Sequence, residues 1–205
     1  MKLTRTLAAS AAAIALVLLP TTANAVPLDV DYDVVGTTTI ASTGGTIDIT
    51  PTVLSSTVDS AGGPGSLTGS LPLNATTTTF DAFGFVPITA TVSYEEAAPI
   101  AGQLVRDGRL TRVESTASYY LKLTDVKIGF FPAFVGNNCR TAEPVQIPAN
   151  TPAGENFNIV AGGTLTGEFT IGEFENCNLA TGPINALIPG EGNTVELQVS
   201  NGRIR

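Results

Sequence analysis

The chain has 205 residues, with 10 basic and 18 acidic side chains, two cysteines, no histidine and no tryptophan. A net charge of −8 at pH 7 argues against nucleic acid as a partner and against electrostatic attachment to anionic membranes. The missing histidine excludes Ser-His-Asp and Cys-His nucleophilic systems in their usual form and removes the commonest zinc ligand.

Residues 1–25 read as an export signal. Lys2 and Arg5 form a positive start, an apolar stretch runs from Leu7 to Leu19, and Pro20 precedes the small-x-small site Ala23-Asn24-Ala25. Cleavage between Ala25 and Val26 removes two basic residues and no acids, which takes the net charge from −8 to −10. No later segment approaches about 18 uninterrupted apolar residues, so the mature chain is expected to lack a transmembrane segment. Val26 and Pro27 stand where a lipoprotein carries its cysteine. The expected destination is the extracellular space or the cell envelope, and residues 26–205 are expected to fold as one secreted β domain.

The mature chain opens with LDVDYDV, residues 28–34. Three aspartates at alternate positions suggest a metal cradle, but an EF-hand loop counted from Asp29 would need Gly and Glu where Val34 and Ile40 stand. A strand instead sends Asp29, Asp31 and Asp33 to one face and Leu28, Val30, Tyr32 and Val34 to the other, with successive carboxylates roughly 6.6 Å apart. A strand is therefore expected here, and no metal ligands or cofactor are assigned anywhere in the chain.

Alternation continues in Ile47, Ile49 and Val53, and in Ile88, Ala90, Val92 and Tyr94. Such runs between Gly, Pro and Asn clusters indicate half-buried antiparallel strands. Gly62-Gly63-Pro64-Gly65 lacks the Lys and helix of a phosphate loop and reads as a plain connection. QLVRDGRLTRV (103–113) predicts a hairpin with Asp107-Gly108 at its centre and Arg106 opposite Arg109. In YYLKLTDVKIGF the apolar positions change parity between Leu123 and Val126, which predicts a β-bulge near Thr124-Asp125. One short helix is expected near 182–188, capped by Thr181, with Pro183 in its first turn and Pro189-Gly190 ending it. The fold class is all-β: an antiparallel β-sandwich of one or two packed units.

GSLTGSLPL (65–73) returns as GTLTGEFTI (163–171), and DGRL (107–110) as NGRI (201–204). This echo suggests two duplicated halves, about 26–111 and 112–205. Cys139 and Cys177 in an exported chain predict a disulfide. Its loop of about 39 residues would restrict the unfolded chain by roughly 4 kcal/mol.

Three groups of side chains are candidates for function. FDAFGFVP and GFFPAF place Phe83, Phe85, Phe130, Phe131 and Phe134 beside Gly and Pro. They either plug the ends of the β-sandwich or form a rim for an apolar ligand or lipid. Arg106, Arg109 and Arg112 form a basic knob that would suit an anionic partner, or a charged hairpin tip that discourages edge pairing. Paired carboxylates, Glu95-Glu96 or Glu168, Glu173 and Glu175, would be the minimum for a glycan hydrolase, but eighteen acids make such pairs common by chance, and solvated strand faces explain them. Asn74-Ala75-Thr76 is a formal glycosylation sequon.

From residue 65 onward the chain resembles a group of small secreted proteins of unknown function from actinobacteria. The likeness rests on YYLKLTDVKIG, NNCRTAEPV, AGGTLTGEFTI, FENCNL and NALIPGEGNTVEL, with Cys139, Cys177 and the Pro189–Asn193 turn as its firmest points. It implies export, a disulfide and a β-fold, and brings no catalytic residue. The expected function is a non-enzymatic secreted or envelope-associated binding or structural module whose partner is an unknown envelope component or an apolar ligand. The alternatives are a carrier of an apolar or lipid ligand through the Phe-rich loops, and a carboxylate-based glycan hydrolase.

Overall fold

The computed structural model describes residues 26–59, 65–82 and 85–205. The expected signal over 1–25, the loop glycines Gly62 and Gly63, and Phe83 lie outside them. The strands are β1 (Leu28–Ile40), β2 (Gly45–Asp59), β3 (Gly65–Ser70), β4 (Thr76–Ala82), β5 (Val86–Asp107), β6 (Leu110–Ile128), β7 (Phe131–Pro132), β8 (Arg140–Thr141), β9 (Val145–Asn150), β10 (Gly162–Ile171), β11 (Phe174–Glu175) and β12 (Gly190–Ile204). A 3₁₀ turn over Asn178–Ala180 runs into α1 (Thr181–Leu187), the one α-helix among the described residues.

The class is all-β and antiparallel, as expected, and the pairing order adds closure. β1, β2, β3, β5, β6, β9, β10 and β12 pair in chain order, and β12 pairs back with β1. The sheet therefore meets itself, and the faces that pack across the core are opposite walls of one barrel. β4 extends the wall beside β5, while β8 and β11 extend it beside β6. The echoed strands β3 and β10 hold matching places, each paired with the strand that follows its own excursion, β5 and β12.

Period-two alternation fills this barrel. Val30, Tyr32 and Val34 are buried while the three aspartates face out. Outside, Asp29 accepts a hydrogen bond from Thr57 (2.6 Å), Asp31 pairs with Arg205 (3.2 Å) and Asp33 with Arg203 (2.8 Å). The stretch that resembles a cation cradle is a strand whose carboxylates tie it to both neighbours.

Irregularities carry the parity changes. Between Thr91 opposite Thr124 and Thr89 opposite Lys127, β6 gains one residue, and Asp125 takes φ +51°. This is the expected bulge, and it keeps Leu121, Leu123 and Val126 all buried. A second bulge, at Thr50-Pro51 in β2, was not anticipated: Val34 lies opposite Thr52 but Gly36 opposite Ile49. Pro51 cannot donate to the ladder, and the extra residue turns Val53 outward (40 % exposed) and Leu54 inward.

Two local expectations need correction. The hairpin centre is Gly108-Arg109, because Asp107 pairs with Leu110 and Arg106 with Thr111. Gly108 alone of the two has positive φ, +61°, as a turn with glycine first requires. Thr181 is not the helix cap; its hydroxyl accepts from the Cys177 amide (3.1 Å) and donates to the Asn178 carbonyl (3.0 Å), serving the 3₁₀ turn instead. The seam between β9 and β10 has one paired position, Thr166 with Asn150. There a Cβ on Gly167 would run into the Pro148 carbonyl, so glycine alone allows the two backbones to meet.

Cys139 and Cys177 form the disulfide. Opening it with Cys139→Ser and Cys177→Ser together should lower the unfolding free energy by about 2–4 kcal/mol. Urea titration of the oxidised, reduced and doubly substituted chains checks this, with the last two expected to coincide.

Candidate functional site

Inward-facing side chains along the barrel are mostly aliphatic or aromatic, and they do not fill it completely. A cavity of about 90 Å³ lies among residues from all eight barrel strands, including Val34, Leu54, Leu67, Tyr94, Ala117, Ala149, Leu165 and Leu197. A second, about 50 Å³, shares Ile40, Ile47, Val92 and Leu121 with the first. A third, about 30 Å³, shares Phe80, Ala90, Leu123 and Ile188 with the second. Common walls thus line up three cavities along β5 and β6. One water needs roughly 10–15 Å³ of such space together with polar partners, and the partners are the scarce ingredient.

No charged side chain lines any of the three. Four of the hydroxyls that reach the first are committed to the backbone. Tyr119 donates to the Leu71 carbonyl (2.6 Å), Ser115 to that of Ala149 (2.7 Å), Thr38 to that of Thr194 (2.8 Å) and Tyr32 to that of Ile159 (2.7 Å). An apolar space of this kind stays dry or takes an apolar guest. At the β5–β6 turn end the barrel is closed by the 151–161 connection, where buried Phe157 packs edge-on against Tyr32 (5.8 Å between centroids).

The opposite end is closed by α1. Ile184 is buried against the core, and Pro183, Ile184 and Leu187 wall the third cavity. Paired bonds hold the helix: Asn185 accepts from the Phe174 amide (2.7 Å) and donates to its carbonyl (3.0 Å). Asn193, fully buried, accepts from the Ala41 amide (3.0 Å) and donates to the carbonyls of Gly190 (2.8 Å) and Phe169 (3.1 Å). The Pro189–Asn193 turn is thereby a clasp joining β1, β10 and β12.

Beyond α1 stand most of the phenylalanines singled out in the sequence. Phe85 (76 %), Phe130 (97 %), Phe131 (78 %) and Phe134 (79 %) are exposed, so these four do not plug the barrel. The turns that carry them are adjacent: the Gly129 amide bonds to the Pro87 carbonyl (2.7 Å), and Phe131 pairs with Ile128. Leu179, 98 % exposed, joins them, because Asn178 donates to the Phe134 carbonyl (3.0 Å). Its place in this group was not visible in the sequence, since only the disulfide and the 3₁₀ turn bring it there.

The arginines are less united. Strand alternation puts Arg106, opposite Thr111, and Arg112, opposite Val105, on opposite faces of the hairpin, with Arg109 in its turn. The carboxylate candidates are drawn into structure. Glu96 accepts from the Leu71 amide (2.6 Å) and the Ser70 hydroxyl (2.8 Å), Glu95 lies 3.6 Å from Lys122, and Glu175 lies 3.9 Å from Arg140. Glu168 and Glu173 are exposed. Among the described residues, no group of three or more His, Cys, Asp or Glu is placed to hold a metal ion. No family model matches the chain, and no curated protein or solved structure matches it either.

Burial pushes the phenols of Tyr32 and Tyr94 up to about 12 by favouring the neutral form. Their folded values lie above the unfolded value near 10. The stabilisation they give is therefore intact below pH ~10 and lost as pH rises through 12. Tyr32→Phe removes one such group and one hydrogen bond. It should cost about 1 kcal/mol at pH 7 and show a shallower loss of stability between pH 10 and 12, read by urea titration across that range.

Proposed function

We propose that this protein is an exported, non-enzymatic binding protein that holds an apolar guest, such as an acyl chain, inside its barrel. The observation that carries the reading is the run of three apolar cavities with shared walls and no charged lining. The site differs from the aromatic rim that the sequence suggests, because the guest sits among the inward residues of the strands. With four of the interior hydroxyls committed to backbone carbonyls and no charged side chain in the lining, recognition is by shape and apolar contact, which favours a slender hydrocarbon over a polar metabolite. The disulfide and the resemblance to small secreted actinobacterial proteins support export to the medium or envelope. The engagement of Glu95, Glu96 and Glu175 in structural contacts favours binding over carboxylate hydrolysis.

The test uses the chain from Val26 onward, which contains every described element. A fluorescent fatty acid, cis-parinaric acid, should give a saturable signal with the unaltered chain. Ala117→Leu fills part of the first of these cavities, so it should weaken that binding at least tenfold while moving the melting temperature by only a few degrees. No saturable signal from the unaltered chain would reject the interior site, as would unchanged affinity in Ala117→Leu.

A further inference from the structure

We propose that the exposed aromatic end docks into the surface of a neutral phospholipid bilayer, and that the interior guest enters there. The route of entry rests on the interior site proposed above, whereas the docking does not. Phe85, Phe130, Phe131, Phe134 and Leu179 come from three segments, the turn before β5, residues 130–134 and the 3₁₀ turn, which meet at one end of the molecule. Projecting apolar tips suit the soft boundary between headgroups and acyl chains, where aromatic side chains concentrate. Phe134 holds φ +47°, a backbone region disfavoured for side chains of its kind. The Asn178 bond to its carbonyl and the nearby disulfide keep it there, so its outward aim is imposed by the surrounding structure.

Continuity with the interior separates this patch from an isolated sticky surface. The third cavity is walled by Ile128 and Ala133 on one side and by Pro183, Ile184 and Leu187 on the other. Ile128 is itself 43 % exposed and paired with Phe131. Apolar contact therefore extends from the tip past α1 into the barrel, which is the path an acyl chain leaving a bilayer would need.

Charge and chemistry select the kind of surface. From Val26 onward the chain carries −10, so anionic headgroups repel the molecule as a whole. Beside the tip a polar cleft is lined by Asn137, Asn138, Asn176 and Asn178 together with Arg140, Lys122 and Glu95. Its amides suit neutral or zwitterionic headgroups. A second copy of the chain fits less well: a stable dimer needs about 800 Å² from each partner, and five projecting side chains offer no flat surface of that extent.

Flotation with phosphatidylcholine vesicles tests this, using the chain from Val26 onward. The unaltered protein should rise with the vesicles, and should do so less when a third of the lipid is phosphatidylglycerol at low salt. Phe130→Ser combined with Phe134→Ser should cut flotation at least tenfold with near-normal melting, since both side chains are exposed. The same variant should still bind cis-parinaric acid in solution but should extract it from vesicles at least tenfold more slowly. Ala117→Leu should float normally, so failure of the interior site and failure of the docking surface give different results. Absence of flotation by the unaltered chain would overturn the proposal. So would equal flotation of the double variant, or a lipid-free dimer abolished by Phe130→Ser and Phe134→Ser without flotation.

Discussion

The long pairing of β5 with β6 is the constraint from which the rest of the architecture follows. Other strands pair with only part of this hairpin. β3 and β9 take the half near Gly108, and β4 and β8 take the half beyond it. Where the partners change, β5 loses register around Ala98, and Pro99, which has no amide hydrogen to leave unpaired, lies in the gap. Glu96 fills the same break by accepting from Ser70 and Leu71 as β3 ends. Because one hairpin serves as two barrel staves and as the stem of the extension, the interior cavities and the aromatic tip share one axis. A barrel of eight short staves would have no such axis.

Closing a sheet removes its edges, but the ends of a barrel still leave backbone groups unpaired. Here side-chain amides meet that need. Asn193 satisfies groups from three segments, Asn185 mimics a strand against Phe174, and Asn158 accepts from the amides of Val160 and Ala161 (2.8 and 2.9 Å) at the other end. Amides suit this role because each supplies both donors and an acceptor. The helix is only seven residues long, too short to persist alone. Its place over the third cavity depends on Asn185, on the turn held by Asn193 and on apolar contacts of Ile184. The Cys139–Cys177 bond adds a covalent tie between the segment that carries Phe134 and the one that carries Leu179.

Much of this fold is legible in the sequence because strand alternation is a local property. LDVDYDV announces a strand, the parity change before Val126 announces the bulge, and two cysteines behind an expected export signal announce their bond. The misreadings are also local and arise from competing choices of similar energy. A turn centred on Asp107-Gly108 or on Gly108-Arg109 uses the same glycine, and only the register of the flanking strands decides between them. Thr181 has the chemistry of a helix cap, yet its hydroxyl is taken by the preceding turn. Depth is the harder quantity. Phenylalanine beside glycine and proline is compatible with a plug or a projection, and which one results depends on how far β6 runs past its neighbours.

The distribution of polarity across the wall says what kind of barrel this is. Membrane-spanning barrels turn apolar residues outward to lipid and keep a polar interior. Here Val30, Tyr32, Val34, Val195, Leu197 and Val199 point inward, while Asp29, Asp31, Asp33, Glu196, Gln198 and Ser200 face out. Such a wall does not suit hydrocarbon, so the lipid contact proposed above is confined to the end that carries the exposed phenylalanines. That confinement gives direction to the molecule. At the other end Phe157 packs on Tyr32 and Tyr32 bonds to the Ile159 carbonyl, which closes the interior. At the aromatic end the closure is a seven-residue helix held largely by amide clasps. Of the two ends, the helix-closed one carries the exposed phenylalanines, and no charged side chain lines the cavity beneath it.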